Sequence, residues 1–162
     1  EEGFKQECNG KIKGGIKMKI VFTAGGFDPL HLGHLKLIQE SKKLGDYLIV
    51  SVASTENMIN KKGYEFMPFE DRLEIIRELR SVDEVEKHIG TDGTVIKNLE
   101  RLRRRFPDCE IIFTKGGDWT KDTIPEKEIC DKLGIKIVDG LVGTINSSSK
   151  LVERIRNKNK EE

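Results

Sequence analysis

The chain has 162 residues, and its 29 lysines and arginines nearly balance its 28 aspartates and glutamates, giving a formal net charge of +1. This length favours one domain, and the balanced charge does not indicate a protein that coats nucleic acid. No segment reaches the roughly 18 apolar residues of a membrane helix, and the N-terminus lacks the apolar core of a secretory signal. We therefore expect a cytoplasmic protein with no nucleic-acid or membrane partner.

The composition is rich in charge, with 35% of residues being Asp, Glu, Lys or Arg. This fraction is typical of a solvated surface, and a thermophilic origin is the alternative. The three cysteines, Cys8, Cys109 and Cys130, follow no zinc-binding spacing. Their odd number favours a reduced, intracellular chain.

The first elements follow an unpatterned N-terminus. Residues 1–17 are rich in Lys, Glu and Gly and are predicted to form a flexible extension. A strand is predicted over Lys19–Thr23, followed by a helix over Leu32–Leu44 that a glycine ends. The almost wholly apolar run Tyr47–Ala53 predicts a buried parallel strand.

The middle of the chain begins with a polar segment, Ser54–Phe66, which is predicted to be a mobile loop carrying Lys61 and Lys62. A helix is predicted over Pro68–Arg80, because a proline opens it and acidic residues occupy its first turn. The remaining predicted elements are a strand over Val82–Ile89, a helix over Thr94–Phe106, a strand over Glu110–Thr114, a helix over Pro125–Leu133, a strand over Ile135–Val138, a helix over Ser147–Asn157 and a polar tail over 158–162.

This alternation of strands and helices predicts an α/β fold for residues 18–157. Connections of helical length between strands indicate βαβ units, so we expect a doubly wound sheet of about five parallel strands with helices on both faces. The basic run at 101–105 is interpreted as a solvated helix face, with a phosphate or subunit contact as the alternative.

The segment from Gly25 to His34 lies where the first strand ends and the first helix begins. Backbone N–H groups and the positive end of a helix bind phosphates at such junctions. Gly25 and Gly26 allow a ligand to approach the backbone closely, and His31 and His34 are spaced to share one side of the helix. Two alternatives remain open: helix-capping histidines, or a metal pair that lacks an obvious third ligand.

Residues 26–34, Gly-Phe-Asp-Pro-Leu-His-Leu-Gly-His, resemble the signature of the HxGH nucleotidylyltransferase superfamily. The resemblance extends over about residues 18–156 and is strongest to glycerol-3-phosphate cytidylyltransferases and heptose-phosphate nucleotidylyltransferases. The further segments that carry it, in order along the chain, are Leu44–Val50, Lys61–Tyr64, Glu70–Arg72, Val82–Val85, Lys115–Trp119 and Ser147–Lys150. It implies a Rossmann-like fold and a homodimer.

The resemblance implies transfer of a nucleoside monophosphate from an NTP, with CTP favoured, to a phosphorylated alcohol or sugar phosphate. Pyrophosphate is released, and Mg²⁺ arrives with the NTP. A general base is unnecessary, because a phosphate monoester has a second pKa near 6 and is already a dianion at neutral pH. Cytidylyltransferases of this group usually carry an arginine shortly before the serine/threonine motif, whereas residues 142–146 hold none.

Three other functions stay open at this point. One is adenylyl transfer to a sugar phosphate or cofactor precursor, which differs only in the base. Another is a nucleotide-binding protein without turnover. The third is a fragment of a class I aminoacyl-tRNA synthetase, which uses similar histidines.

The resemblance also implies roles for individual residues, and it includes no protein ligand for a metal. The implied catalytic residues are His31, His34, Lys61, Lys62 and Arg72. The implied nucleotide-binding residues are Gly25, Gly26, Phe27, Asp28, Gly33, Gly116, Gly117, Asp118, Trp119, Ser147, Ser148 and Ser149.

Several of these residues have an ordinary structural alternative. Arg72 is also suited to a surface ion pair with a neighbouring glutamate, and Ser147–Ser149 to capping of the last helix. Asp28 is expected to position its loop rather than to contact a metal. Trp119 suits either stacking on a ligand or a place at the edge of the core.

Overall fold

The computed structural model of the protein describes residues 17–117, 119–143 and 147–158. The expectations for residues 1–16, Asp118 and the tail beyond 158 fall outside this part of the chain. Helices and strands alternate along it, as the sequence predicts. The strands are β1 Lys19–Gly25, β2 Tyr47–Val52, β3 Glu84–Lys87, β4 Glu110–Thr114 and β5 Lys136–Val138. The helices are α1 Leu32–Lys42, α2 Thr55–Lys62, α3 Phe69–Arg77, α4 Ile96–Arg105, α5 Lys127–Leu133 and α6 Ser148–Lys158.

The five strands form one parallel sheet in the order β3-β2-β1-β4-β5. The central strand β1 pairs on both sides, with Phe22 opposite Ile49 of β2 and opposite Phe113 of β4. This sheet confirms the predicted α/β, Rossmann-like fold. Because the chain reverses its direction of travel across the sheet between β1 and β4, the carboxyl ends of these two strands border a crevice suited to a ligand.

Apolar side chains cover both faces of the sheet. Successive residues of a strand point to opposite faces, so Phe22 packs in a cluster with Leu99 of α4, whereas Val21 packs with Ile38 of α1 and Ile76 of α3. The two clusters hold helices against both faces of the sheet, as predicted. No helix in the described part of the chain has the length and apolar character needed to cross a membrane.

The prediction of a mobile loop over Ser54–Phe66 is wrong for most of its length, because α2 occupies Thr55–Lys62. The Ser54 Oγ accepts a hydrogen bond from the Asn57 amide at 3.1 Å and caps the helix. Gly63, with φ of 79°, ends it in the left-handed conformation that glycine adopts readily. Other elements differ from prediction at their ends: α3 stops at Arg77, where a tighter turn replaces the helix.

Candidate active site

His31 and His34 together build the N-terminus of α1. His31 is the N-cap, and its Nδ1 accepts a hydrogen bond from the Gly33 amide at 3.0 Å. His34 returns the contact, with its Nδ1 accepting from the His31 amide at 3.3 Å. The two rings stack with centroids 3.8 Å apart and an interplanar angle of 23°. The capping alternative is therefore correct as a structural role.

The same hydrogen bonds fix the tautomer of both histidines. A neutral imidazole carries one N–H, and a nitrogen that accepts a hydrogen bond cannot be the one that carries it. Because Nδ1 accepts in both rings, Nε2 carries the hydrogen in both His31 and His34. The pair therefore presents two N–H donors at the start of a helix, where the backbone already favours anions.

Both rings are held neutral by their surroundings. Burial, together with the smaller effects of the neighbouring His31 and Lys62, lowers the pKa of His34 to about 3. Burial and the charge of Lys62 also lower the pKa of His31. Stacked imidazoles 3.8 Å apart oppose simultaneous protonation, since two like charges repel at that distance.

The loop before the histidines is shaped by Phe27 and Asp28. Phe27 is buried with a φ of 53°, an uncommon conformation for a residue with a side chain, and its ring meets that of His34 edge-on at 5.1 Å. Asp28 is fully buried, and its carboxylate oxygens accept from the amides of Phe66 and Met67 at 2.8 and 2.5 Å. Asp28 thus positions the segment after α2 and is turned away from the crevice.

Arg72 does not reach the crevice, which corrects its predicted role as a phosphate ligand. Its side chain is fully buried and forms an ion pair with Glu65 at 2.6 Å rather than with a surface glutamate. Its guanidinium also donates to the carbonyl oxygens of Gly26, Ala53 and Met67. Arg72 therefore ties together the ends of β1 and β2 and the segment before α3, and these hydrogen bonds leave it unavailable to a ligand.

Lys61 and Lys62 lie in the last turn of α2, not on a loop, and both line the crevice. The Lys62 Nζ donates to the Asp28 carbonyl oxygen at 3.4 Å. Burial lowers the pKa of Lys62, as does the adjacent charge of Lys61. Two lysines held on a helix therefore bring positive charge next to the histidine pair.

The serines before and within α6 divide their roles. The Ser147 Oγ accepts from the Lys150 amide at 3.2 Å and caps the helix, as one predicted alternative proposed. The Ser148 Oγ donates to the Pro29 carbonyl oxygen at 2.9 Å and joins α6 to the histidine loop. Ser149 is exposed. All three line the crevice, so a helix N-terminus faces the histidines across it.

The segment after β4 forms a further wall. A Cβ on Gly116 would lie 2.7 Å from the Leu37 Cδ2, so a larger residue here would displace the Leu37 side chain of α1. Trp119 is 45% exposed, which contradicts a place at the edge of the core, and its ring lies 5.4 Å from the Lys115 Nζ. An exposed aromatic face beside a lysine suits stacking on a planar ligand.

These walls enclose a cleft of about 690 Å³ at the carboxyl edge of the sheet. The predicted site residues that line it are Gly25, Gly26, Phe27, His31, Gly33, His34, Lys61, Lys62, Gly116, Gly117, Trp119, Ser147, Ser148 and Ser149. Asp28 and Arg72 support the cleft from behind, and Asp118 is outside the described residues. The structure thus brings together most of a site that the sequence spreads over more than 120 residues.

Sequence reasoning missed five polar residues of the cleft: Asn57, His88, Lys115, Thr123 and Glu126. Asn57 was missed because α2 was interpreted as a loop, and His88 because it is a lone histidine inside the predicted strand Val82–Ile89, which ends at Lys87 in the structure. Lys115 lies in the segment Lys115–Trp119, which carries the resemblance, but the sequence predicted no role for it. Glu126 precedes a short helix in a highly charged chain, so nothing in the pattern separates it from surface glutamates.

No group of three or more His, Cys, Asp or Glu suited to a metal ion occurs within residues 17–117, 119–143 and 147–158. Three lysines and a single acidic residue, Glu126, are among the described residues that line the cleft. The cleft is therefore suited to an anion with several negative charges rather than to a bare cation.

Residues 22–154 match the family model described as cytidylyltransferase-like. The chain belongs to the cytidylyltransferase-like family. It is a nucleotidyltransferase, and the resemblance found in the sequence is confirmed.

Two relatives cover most of this cytidylyltransferase-like chain. The glycerol-3-phosphate cytidylyltransferase of Bacillus subtilis (strain 168) is 33% identical over 139 residues, covering 85% of this chain and 98% of the relative. The FAD synthase of Ferroglobus placidus is 34% identical over 143 residues, covering 85% and 88%. The two relatives have nearly equal identity to this chain but different named activities. The substrates of this chain therefore have to be inferred from its own cleft.

A solved structure agrees with the fold. The lipopolysaccharide core biosynthesis protein of Thermoplasma volcanium superposes with a TM-score of 0.60 at 33% identity, covering 75% of this chain and 95% of that one. The cytidylyltransferase-like sheet and its surrounding helices are therefore shared with this protein.

Proposed function

We propose that this nucleotidyltransferase transfers a nucleoside monophosphate from an NTP to the phosphate group of a phosphorylated alcohol and releases pyrophosphate. The observation that carries the proposal is the pair of neutral Nε2–H donors on His31 and His34. They lie at a helix N-terminus in a cleft that is also lined by Lys61, Lys62 and the start of α6. Such an arrangement matches an electrophilic phosphate whose charge spreads over its oxygens during transfer.

In the proposed reaction, an oxygen of the acceptor's phosphate attacks the α-phosphorus of the NTP and forms the new P–O bond. The bond from the α-phosphorus to its bridging oxygen breaks, and pyrophosphate leaves with that electron pair. The attacking phosphate is a dianion above its second pKa near 6, so no proton has to be removed. Catalysis then depends on alignment and charge stabilisation.

Each side chain has a part that follows from its position. The Nε2–H groups of His31 and His34 donate to oxygens of the α-phosphate, while Lys61 and Lys62 offset the charge of the phosphates. The N-terminus of α6 with Ser149 holds the β- and γ-phosphates, as helix N-termini bind anions. Trp119 stacks on the base or on the acceptor.

Mg²⁺ accompanies the NTP in this proposal and neutralises part of the triphosphate charge when bound. The described residues offer no cage of carboxylates for it, and the Asp28 carboxylate is occupied by two backbone amides. Binding through phosphates and water is the usual mode for Mg²⁺ with nucleotides. We assign no catalytic step to the ion.

CTP is the favoured donor, and ATP is the alternative. The B. subtilis relative is named for cytidylyl transfer, whereas the named product of the F. placidus relative contains an adenylate group. ATP stays the second candidate because residues 142–146 contain no arginine. This segment includes Val142 and Gly143, which line the cleft.

A pyrophosphate-release assay tests the proposal by crossing CTP, ATP, GTP and UTP with a panel of phosphorylated alcohols. We expect release that depends on both a nucleotide and an acceptor, with CTP fastest. Release with no combination, in protein that nevertheless binds a nucleotide by calorimetry, would instead support a nucleotide-binding protein without turnover.

A further inference from the structure

Three buried polar side-chain atoms lack a hydrogen-bond partner within the described residues: Asn57 Oδ1, His88 Nε2 and Glu126 Oε2. All three residues line the cleft. Folded proteins satisfy nearly all buried polar atoms, because an unpartnered one opposes folding. Three such atoms in the wall of one cleft therefore indicate a ligand that supplies the missing partners.

The other polar atoms of these side chains hold the segment that leads from β3 to α4. The Asn57 Nδ2 donates to the Gly90 carbonyl oxygen at 3.0 Å, and the Glu126 Oε1 accepts from the Val95 amide at 3.1 Å. The His88 ring hydrogen-bonds the Ser51 backbone. In each side chain, one polar atom is thus held by a hydrogen bond to the backbone. This hydrogen bond positions the unpartnered atom before a ligand binds.

All three unpartnered atoms are hydrogen-bond acceptors. A carboxylate oxygen and an amide oxygen accept by nature. The pKa of His88 is lowered to about 4, mainly by burial. The hydrogen bond to the Ser51 backbone acts in the opposite direction and favours the protonated ring, so the ring donates in that bond. The neutral ring has then placed its one hydrogen on the other nitrogen, and Nε2 accepts.

Lys115 complements these acceptors with a positive charge. It lines the same cleft, where Glu126 favours its charged form and where its charge in turn disfavours protonation of His88. Lys115 and Lys61 together disfavour a cationic head group at this place, because like charges repel. The ligand that fits brings several O–H donors and is not a cation.

We propose that Asn57, His88, Lys115 and Glu126 form the acceptor subsite, and that the acceptor is a phosphorylated sugar or sugar alcohol with at least three free hydroxyl groups. These hydroxyls donate to Asn57 Oδ1, His88 Nε2 and Glu126 Oε2, and Lys115 donates to an oxygen of the same molecule. This assignment rests on the function proposed above and names its acceptor class.

The first test is Glu126→Gln, which retains Oε1 for the Val95 amide and places an N–H₂ donor where a hydroxyl needs an acceptor. We expect the KM for the sugar phosphate to rise about tenfold or more, since a buried site that pairs a hydroxyl discriminates strongly, while the KM for the NTP changes less than about threefold. The matched control is Glu128→Gln on the same helix, exposed and paired with Lys132, which leaves both values unchanged.

His88→Phe, which keeps a planar ring and removes Nε2, gives an independent second measurement with the same expected pattern. Thermal denaturation of each variant shows whether it is folded. The acceptor panel for the wild-type enzyme contains ribose 5-phosphate, glucose 1-phosphate, glycerol 3-phosphate and phosphocholine. We expect the two sugar phosphates to exceed phosphocholine by tenfold or more in kcat/KM.

The outcomes separate this inference from the proposed function. A wild-type protein that releases no pyrophosphate with any pair overturns the function. If the wild-type enzyme is active but Glu126→Gln and His88→Phe behave like Glu128→Gln, only the subsite is overturned. This result is expected if water satisfies the unpartnered atoms. The subsite is also overturned if the variants raise the KM for the NTP instead, which would place the residues at its ribose, or if phosphocholine is a better acceptor than the sugar phosphates.

Discussion

In each histidine of the pair, one ring nitrogen serves the fold and the other remains for a ligand. Nδ1 of His31 and of His34 completes the N-terminus of α1, so Nε2–H remains for contacts outside the helix. The helix cap thereby selects the tautomer that suits a phosphate ligand. A substitution at either position changes a cap as well as a donor, and only a residue that replaces the Nδ1 acceptor separates the two.

Arg72 is the residue whose predicted role changes most. Arg72→Met removes the positive partner of a buried ion pair and three hydrogen bonds to backbone carbonyl oxygens, so we expect a loss of about 3–5 kcal/mol in the free energy of unfolding. Urea denaturation measures it.

The control for that measurement is Arg77→Met in the same helix. Arg77 is exposed and pairs with Glu74 one turn away, and we expect a loss below about 1 kcal/mol. A stable Arg72→Met protein that has lost turnover would restore Arg72 to the catalytic residues.

The residue scale also shows where sequence reasoning ends. The histidines, lysines and serines were found because short motifs report residue type and order. Whether this arginine faces the cleft or the interior depends on contacts with Gly26 and Ala53, which are distant from Arg72 in the sequence. No local pattern carries that information.

At the scale of elements, α2 determines where Lys61 and Lys62 lie. Ser54 caps this helix, and its Oγ accepts from both the amide and the side chain of Asn57. Ser54→Ala should cost about 1–2 kcal/mol of stability and raise the KM for the NTP, because fraying of the helix loosens the lysines. Chemical denaturation and steady-state kinetics measure the two effects.

Ser81→Ala provides the same chemical change in a turn outside any helix cap, with an expected effect below about 0.5 kcal/mol. If Ser54→Ala leaves the KM for the NTP unchanged despite a lower stability, the lysines do not depend on the order of α2.

The centre of the sheet was predictable because β1, β2 and β4 are short, mainly apolar runs. The helix α2 was not, because only Asn57 and Met58 of its eight residues are buried and its pattern is nearly all polar. Its signals were the serine before it and the glycine after it, which mark helix ends. Capping residues are thus more informative than hydrophobic periodicity for a helix that covers a cleft.

At the scale of the whole molecule, histidines of the cleft are held neutral in the folded state. The free energy of unfolding therefore depends on pH. The pKa values of His34 and His88 lie at about 3 and about 4 in the folded chain, against about 6.5 in an unfolded one. The folded state therefore binds fewer protons below pH 6.5. The contribution of these neutral histidines to the free energy of unfolding is fully present above about pH 6.5. It is lost progressively as the pH falls toward 4.

We expect Tm to be constant from pH 8 to 7 and to fall by several degrees between pH 6.5 and 4.5, as measured by circular dichroism. In His88→Phe the fall is smaller over the same range, because one of the histidines with a lowered pKa is gone. A Tm that rises on acidification, or an equal slope in the variant, would show that these rings are not held neutral.

The most direct test of the account is the turnover of His31→Asn in the pyrophosphate-release assay. The asparagine side-chain oxygen replaces Nδ1 as the helix cap, so Tm and nucleotide affinity should stay close to wild type, as they do in the exposed control Lys36→Ala on the same helix. The lost Nε2–H donor should lower kcat by about 10²–10³. A His31→Asn enzyme with unchanged turnover would contradict a role for this histidine at the α-phosphate.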